Sequence, residues 1–419
     1  MKTFSIYTLG CKVNLYESEF ITHLFVDRGY KEVEFGMNSD VIIVNTCSVT
    51  NNSDVKSRKI IRRARKLCNI LVVCGCYTQT DPILDELKID ILLGNKDKSK
   101  ICDLVEEYNK TKQKIKKIYK TNEFIFENME ITHSKNTRAF VKIQDGCNNF
   151  CSFCIIPYVR GLPRSKKKDD VINEVTNLVN NGYKEIVLTG IHTGNYGKEI
   201  NTNLSSLLEE LIKIKDLKRI RISSIEITEL DEDFMQILKN SKIIVDHMHI
   251  PLQSGSDKIL KIMRRKYDTK YFYEKIKEIR NIRENMNITT DLIVGHPYEE
   301  EEDFNNSYEF SKKIGFSKIH VFPYSDRSGT KASSMDNKVD GNIKKERVKQ
   351  IEKLNIELLN NYNSKFINKE LEVLVEKNNI GHTSNFIEVI IEGEKLLSNK
   401  LYNVKIIKVE GNKVYGRIN

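Results

Sequence analysis

The sequence predicts an α/β chain built in three parts: an N-terminal domain around a parallel sheet, a central partial (βα)6 barrel, and a small β-barrel at the C-terminus. Three observations carry this prediction. Apolar strand candidates alternate with helical patterns in the first quarter of the chain; the alternation restarts beyond a Lys-rich stretch; and the final segment changes to short strands alone.

The opening strand candidates are 4–9, 41–44 and 70–73, with helical patterns at 17–27 and 54–67 between them. Such alternation makes neighbouring strands parallel. We assign 1–105 to this domain and 106–132 to a helix and linker centred on Lys110-Thr-Lys-Gln-Lys-Ile-Lys-Lys117. The second series has strand candidates at 139–144, 185–189, 219–224, 248–252, 288–294 and 318–323, with helical patterns such as 170–180 and 271–283 between them. Six such units are too few to close an eight-unit barrel and enough for a curved partial one, assigned to 133–365. After a charged helix at 344–362, strand candidates at 371–376, 386–391, 402–409 and 413–417 predict a small barrel over 366–419.

Composition narrows the function. With 39% hydrophobic and 30% charged residues, the chain falls in the globular class. Its longest apolar runs, such as Val41-Ile-Ile-Val44, fall far short of the roughly 20 residues a membrane span requires, so no membrane partner is expected. The N-terminus lacks the basic stretch, apolar segment and cleavage site of a signal peptide, which predicts a cytoplasmic protein. Nine cysteines in that compartment point to metal or redox chemistry rather than disulfides. A net charge of +10 fits a polyanionic partner, and fits a solvated lysine-rich surface equally well.

Just after the first strand of the second series stands Cys147-Asn-Asn-Phe-Cys151-Ser-Phe-Cys154. Three thiolates on one loop can hold three irons of a [4Fe–4S] cube and leave the fourth open to a small molecule. Zinc would need a fourth ligand nearby, and the nearest downstream histidine, His192, falls on another predicted unit. Cys-x3-Cys-x2-Cys, with Phe153 before the last cysteine, resembles the signature of the radical S-adenosylmethionine (SAM) enzymes. The resemblance implies that the open iron chelates SAM and that one electron cleaves it to methionine and a 5′-deoxyadenosyl radical. A position at the C-terminal end of a barrel strand agrees with that role.

Leu188-Thr-Gly-Ile-His-Thr-Gly194 resembles the superfamily's glycine segment, where Gly190 would let backbone approach SAM; a plain strand-end turn accounts for Gly190 as well. Arg219-Ile-Arg-Ile-Ser-Ser-Ile-Glu226 and His249-Ile-Pro-Leu-Gln-Ser-Gly-Ser256 resemble the regions that line SAM and substrate. In Asp291-Leu-Ile-Val-Gly-His-Pro-Tyr298, His296 stands where the family has Phe and Tyr298 where it has Gly. By this resemblance the expected SAM contacts are Phe153, Gly190, Ser223, Glu226, Gln253 and Asp291. No catalytic side chain beyond the cluster ligands is assigned.

Cys11, Cys47 and Cys76 each lie near the C-terminal end of a predicted strand. In a parallel sheet those ends share one edge, so thiols distant in sequence can converge there. Any one of them alone is as well explained as a small buried hydrophobe. Cys74 competes with Cys76, since both would point to the same face of an extended segment. Thr8-Leu-Gly-Cys-Lys-Val-Asn14, Asn45-Thr-Cys-Ser-Val-Thr50 and Cys74-Gly-Cys-Tyr-Thr-Gln79 are similar to the three cysteine motifs of the methylthiotransferase family. That resemblance selects Cys76. It implies two [4Fe–4S] clusters, an auxiliary one on Cys11, Cys47 and Cys76 and the radical SAM one on Cys147, Cys151 and Cys154, followed by a small RNA-binding barrel called TRAM. Cys68, Cys74 and Cys102 are expected to be structural.

Aromatic C–H bonds resist acid–base chemistry at neutral pH, so sulfur insertion needs a radical that cofactors supply. The resemblance implies that one SAM methylates sulfur at the auxiliary cluster and a second provides the radical. The motif wording looks closest to bacterial enzymes that methylthiolate carbon 2 of N6-threonylcarbamoyladenosine, the tRNA base just 3′ of the anticodon. The product would be 2-methylthio-N6-threonylcarbamoyladenosine. The expected partners are the tRNA anticodon stem-loop, held by phosphate contacts that position rather than specify, and an unidentified electron donor. Alternatives on the same fold act on isopentenyladenosine in tRNA or on a ribosomal-protein aspartate; outside enzymes, the alternative is a tRNA-binding iron–sulfur protein.

Overall fold

Near-continuous apolar runs build the first sheet. The computed structural model describes residues 1–80, 84 and 86–418. Its first part contains β1 (Thr3–Thr8), α1 (Lys12–Asp27), β2 (Lys31–Glu32), β3 (Ser39–Thr46), α2 (Asn51–Arg65), β4 (Cys68–Gly75), β5 (Ile91–Leu93), α3 (Ile101–Thr111) and β6 (Ile115–Lys117). The strands form one sheet in the order β2-β1-β3-β4-β5-β6, and every pair is parallel. Successive side chains leave opposite faces, so Val41 and Ile43 pack with Phe4, Ile21 and Phe25 while Ile42 and Val44 pack with Ile61 and Tyr77. The stretch expected to be a helix and linker differs in one respect. Ile115 pairs with Ile91, so part of the lysine run is a sheet edge. One buried isoleucine between lysines suffices for an edge strand, and the surrounding charge hid it.

The second part contains β7 (Arg138–Lys142), β8 (Gln144–Asp145), α4 (Ile156–Arg160), β9 (Arg164–Ser165), α5 (Lys168–Asn180), β10 (Glu185–Thr189), α6 (Leu204–Leu211), β11 (Arg219–Ile222) and α7 (Glu232–Asn240). It continues through β12 (His247–His249), α8 (Asp257–Ile262), α9 (Thr269–Ile282), β13 (Asn287–Val294), α10 (Glu301–Ile314), β14 (Lys318–Pro323) and α11 (Gly341–Ser364). Two parallel sheets, β11-β10-β7 and β12-β13-β14, meet through a bridge between Ile220 and Ile244. Ile220 donates to the Ile243 carbonyl at 2.8 Å and accepts from Val245 at 3.1 Å. The six strands therefore form one open, curved wall in chain order, with helices packed outside it.

The last part contains β15 (Glu370–Lys377), β16 (Ile380–Thr383), β17 (Glu388–Glu392), β18 (Leu401–Glu410) and β19 (Lys413–Arg417). They close a barrel in the order β15-β16-β17-β19-β18 around Val373, Val389, Val404 and Ile406. β16 had no strand candidate of its own, being short and carrying a glycine. The expected strand at 386–391 starts only at Glu388, because Phe386 has a φ of 63° and turns out of the strand path. Its ring leaves the small barrel and lies 4.9 Å from the ring of His247 in the curved wall.

Candidate active site

The cysteine loop after β7 is clamped from several sides. β8 pairs with β9 through Gln144 and Ser165, which brings the chain back over the loop. Gly146 has a φ of 79°, and a Cβ there would lie 2.1 Å from the Leu162 carbonyl oxygen, so only glycine fits. Cys147 donates its backbone N–H to Gly161 at 3.0 Å, Ser152 donates to Met263 at 3.1 Å and accepts from Ala332 at 2.7 Å. Burial, with Cys151 and Cys147 adding, pushes the Cys154 thiol up to about 12. Burial also raises Cys151, against the opposing charge of Arg265, whose Nη1 donates to the Cys151 Sγ at 3.3 Å.

The sequence set His192 apart from this loop because it lies on another unit. The structure brings its Nδ1 to 3.7 Å from the Cys147 Sγ, since the turn after β10 folds back over the cysteines. Burial works to lower His192, but its contacts with Cys147 and Glu229 push it up to about 10.

The ends of β1, β3 and β4 form the second cluster of thiols. A Cβ at Gly10 would lie 3.0 Å from the Cys47 Sγ, which measures how closely those two strand ends approach. Gly75 has a φ of 101° and leaves no room for a Cβ, which would sit 2.4 Å from the Thr46 carbonyl oxygen. Burial pushes Cys47 up to about 11, and the neighbouring Cys76 and Cys11 add to the shift. Cys11 is the exposed member, open to cavities on two sides but flanked closely enough that burial still raises its thiol. Cys74 points away from this edge into the core with Phe4, Ile21 and Val72, and Cys102 shares that core. Cys68 lies at the opposite end of β4.

One side chain ties Cys76 to Asp145 on β8, the short strand that leads into the other cysteine loop. Arg160, fully buried on α4, donates from Nε to the Cys76 Sγ at 3.2 Å. Its Nη1 reaches Glu17 and Asp145, each at 3.1 Å, and its Nη2 reaches the Asn14 Oδ1 at 2.6 Å. Lys142 Nζ contacts Glu17 at 2.8 Å and Asp145 at 2.9 Å, and Lys98 contacts Glu17. Burial alone would raise Glu17, but Arg160, Lys142 and Lys98 outweigh it and hold the carboxyl well below its usual range. None of these side chains was singled out from sequence. Glu17 meets Lys98, Lys142 and Arg160 from 81, 125 and 143 residues away, and Arg160 looks like an ordinary basic end to a short helix.

A cavity of about 440 Å³ opens between the curved wall and the edge of the first sheet. Cys11, Gly190, Ser223 and Asp291 all line it. Phe153, Glu226 and Gln253 are not part of that lining. Phe153 lies edge-on to His296, Glu226 pairs with Arg265 beside Cys151, and Gln253 joins its backbone to Asp291 and Ile293 at 2.9 Å. A second cavity, of about 960 Å³, also contains Cys11 together with Cys47, Tyr324 and Lys344.

His296 and Tyr298 have local explanations. Burial pushes His296 down to about 4, so the ring is neutral; its Nε2 lies 3.2 Å from the Ser152 Oγ and its Nδ1 2.9 Å from the Pro297 carbonyl. Tyr298 has a φ of 67°, a conformation that favours the glycine the family resemblance leads one to expect.

Three soft thiols on a pinned loop suit an iron–sulfur cube. Among the described residues no three His, Cys, Asp or Glu side chains converge tightly enough to hold a single metal ion, whereas a cube takes each thiolate on a separate iron. A family model described as the Radical SAM superfamily matches residues 141–311, and one described as Uncharacterized protein family UPF0004 matches residues 3–94. The threonylcarbamoyladenosine tRNA methylthiotransferase MtaB of Bacillus subtilis is 42% identical over 97% of this chain and 94% of its own length. The chain belongs to the radical SAM methylthiotransferase family.

The tRNA-2-methylthio-N(6)-dimethylallyladenosine synthase of Acetivibrio thermocellus is similar to this methylthiotransferase at 32% identity, over 100% of the chain and 91% of its own. Among solved structures, the radical SAM methyltransferase TsrM from Kitasatospora setae matches with a TM-score of 0.60 and 12% identity over 79% of this chain and 77% of its own, a likeness of fold alone. As a radical SAM enzyme the methylthiotransferase uses SAM and a [4Fe–4S] cluster. Among the described residues no helix is long and apolar enough to cross a membrane.

Proposed function

We propose that the protein methylthiolates carbon 2 of N6-threonylcarbamoyladenosine in the tRNA anticodon stem-loop, giving 2-methylthio-N6-threonylcarbamoyladenosine. One observation carries this reading: Cys11, from one cysteine group, shares a cavity with Gly190, Ser223 and Asp291, which end or border the strands whose first member carries the other group. Relatives named for threonylcarbamoyladenosine, at up to 42% identity, support that base over the dimethylallyl one.

Cys147, Cys151 and Cys154 would hold the SAM-binding cluster, and Cys11, Cys47 and Cys76 a second [4Fe–4S] cluster. When bound, these groups and SAM supply the sulfur, the methyl group and the radical that an aromatic C–H requires. The chain's own residues orient them. Arg265, paired with Glu226, fixes the Cys151 sulfur from one side, and Arg160 fixes the Cys76 sulfur from the other. Gly190, Ser223 and Asp291 would face SAM along the wall, with Phe153, Glu226 and Gln253 supporting the loops around it. Reductive chemistry of this kind requires an external electron donor, and the enzyme would work in the cytoplasm, where tRNA resides.

Mass spectrometry of tRNA nucleosides from cells with and without the gene tests the reading. We expect 2-methylthio-N6-threonylcarbamoyladenosine to vanish and its unmethylthiolated precursor to accumulate. An unchanged nucleoside profile would rule the reading out, and loss of the isopentenyl derivative would move the substrate to the other base.

A further inference from the structure

The cavity shared by Cys11 and the curved wall carries a charge that its lining does not neutralise. Lys12 and Lys318 both line it, and neither makes an ion pair or side-chain hydrogen bond among the described residues. The carboxylate of Asp291 is held 3.3 Å from His249 Nε2. α1 begins at Lys12 with its first turn open to the same cavity through Cys11, Lys12 and Val13. That helix end has no acidic residue in its first turn, so its N–H groups add partial positive charge beside Cys11 and Lys12. His247, 7% exposed, also lines the cavity, and its Nδ1 has no hydrogen-bond partner. A concave, half-enclosed site with unpaired cations and a buried imidazole nitrogen free to carry the ring proton is complementary to an anionic group on a polar ligand.

We propose that Lys12, with the first turn of α1, binds the free carboxylate of the threonylcarbamoyl side chain and thereby selects this base. The inference rests on the function proposed above. Its geometry follows from the base itself: carbon 2 and carbon 6 flank N1 of the adenine, so a substituent on N6 lies along the same edge as carbon 2. When carbon 2 faces the sulfur-bearing side of the site at Cys11, that substituent extends along the edge next to it. Lys12 directly follows Cys11 in the chain, and Lys318 stands across the lumen on β14. An isopentenyl group carries no charge and would gain nothing from either lysine.

The test uses reconstituted holoenzyme and two anticodon stem-loop RNAs, one with the natural threonylcarbamoyl group and one with its carboxylate converted to a neutral carboxamide. Equilibrium Kd and kcat/KM are measured for both RNAs with wild type, Lys12→Met and Lys12→Arg. A charge-assisted contact of this kind predicts that wild type favours the carboxylate about tenfold to a hundredfold. Lys12→Met should abolish that preference by weakening the natural RNA alone, and Lys12→Arg should keep most of it. The preference is a ratio within one preparation, so loss of cluster from a Lys12 variant cancels out of it. Equal weakening of both RNAs would mean that Lys12 meets a phosphate or SAM instead and would overturn the inference, as would a wild type indifferent to the carboxamide. Should wild type methylthiolate neither RNA but accept an isopentenyl stem-loop, the function itself falls, and the carboxylate site with it.

Discussion

At the scale of single residues, the decisive groups are of two kinds. The thiols of Cys147, Cys151 and Cys154 are local, and their spacing alone announces them. Glu17 is the opposite case, a glutamate in a helical pattern with nothing in the sequence to set it apart, which turns out to be 1% exposed and ringed by Lys98, Lys142 and Arg160. Its folded-state proton affinity lies below that of an unfolded glutamate, so its contribution to stability is complete above the usual carboxylate range, near pH 4–5. Below that range the unfolded chain takes up the proton first, and the contribution is lost as pH falls further. Glu299 runs the other way: burial lifts it to about 7 against the pull of Gly295 and Arg347, so its share grows as pH drops from 7 toward 4.5. Urea midpoints should therefore hold or rise slightly from pH 7 to 5 and fall steeply below about 4. A Glu17→Gln variant should be less stable at neutral pH and lose much of the acid-side slope.

Among elements, legibility depended on whether both ends of a segment were marked. β10 and β14 match their sequence candidates end to end because the apolar pattern is flanked by polar turns on both sides. β6 was lost in lysines, and β16 is held by register with β15 and β17 more than by its own residues. The close approach of β3 and β4 at their C-terminal ends was not readable at all, since it depends on Gly75 meeting the Thr46 carbonyl on the neighbouring strand. Gly75→Ala puts a methyl group into that carbonyl and forces alanine into a left-handed backbone. It should cost about 2–4 kcal/mol in denaturant unfolding and reduce iron incorporation, because Cys76 is the next residue. Wild-type stability with full iron content in this variant would show that the strand ends are not the rigid frame described above.

Across the whole molecule, the three parts expected from sequence are all present, but the way they lean on one another was not legible. Charge and hydrophobicity patterns report what each segment buries, not which segment buries it. The small barrel illustrates this. Arg219 donates to the carbonyls of His382 and Glu372 at 2.9 and 2.7 Å, Arg221 to that of Ser384 at 3.3 Å, and Asn287 to that of Asn385 at 2.6 Å. The Phe386 ring lies within 4.5 Å of the Arg221 guanidinium. The barrel thus seals one end of the curved wall, where Glu185, Arg219 and Arg221 are buried. Truncation after residue 365 should expose these charges and the lumen behind them. Thermal unfolding should show a melting temperature lowered by several degrees, in addition to any loss of tRNA affinity. An unchanged melt with weaker RNA binding would mean the barrel is only a tethered RNA-binding module.

Arg160 also answers a question of tolerance. Because its guanidinium grips Cys76, Glu17 and Asp145 at once, the spacing between the two cysteine groups is set by a block of buried contacts rather than by the chain that runs between them. A block of that kind has no soft settings: a small tilt of one part against the other would strip several charges of their partners together.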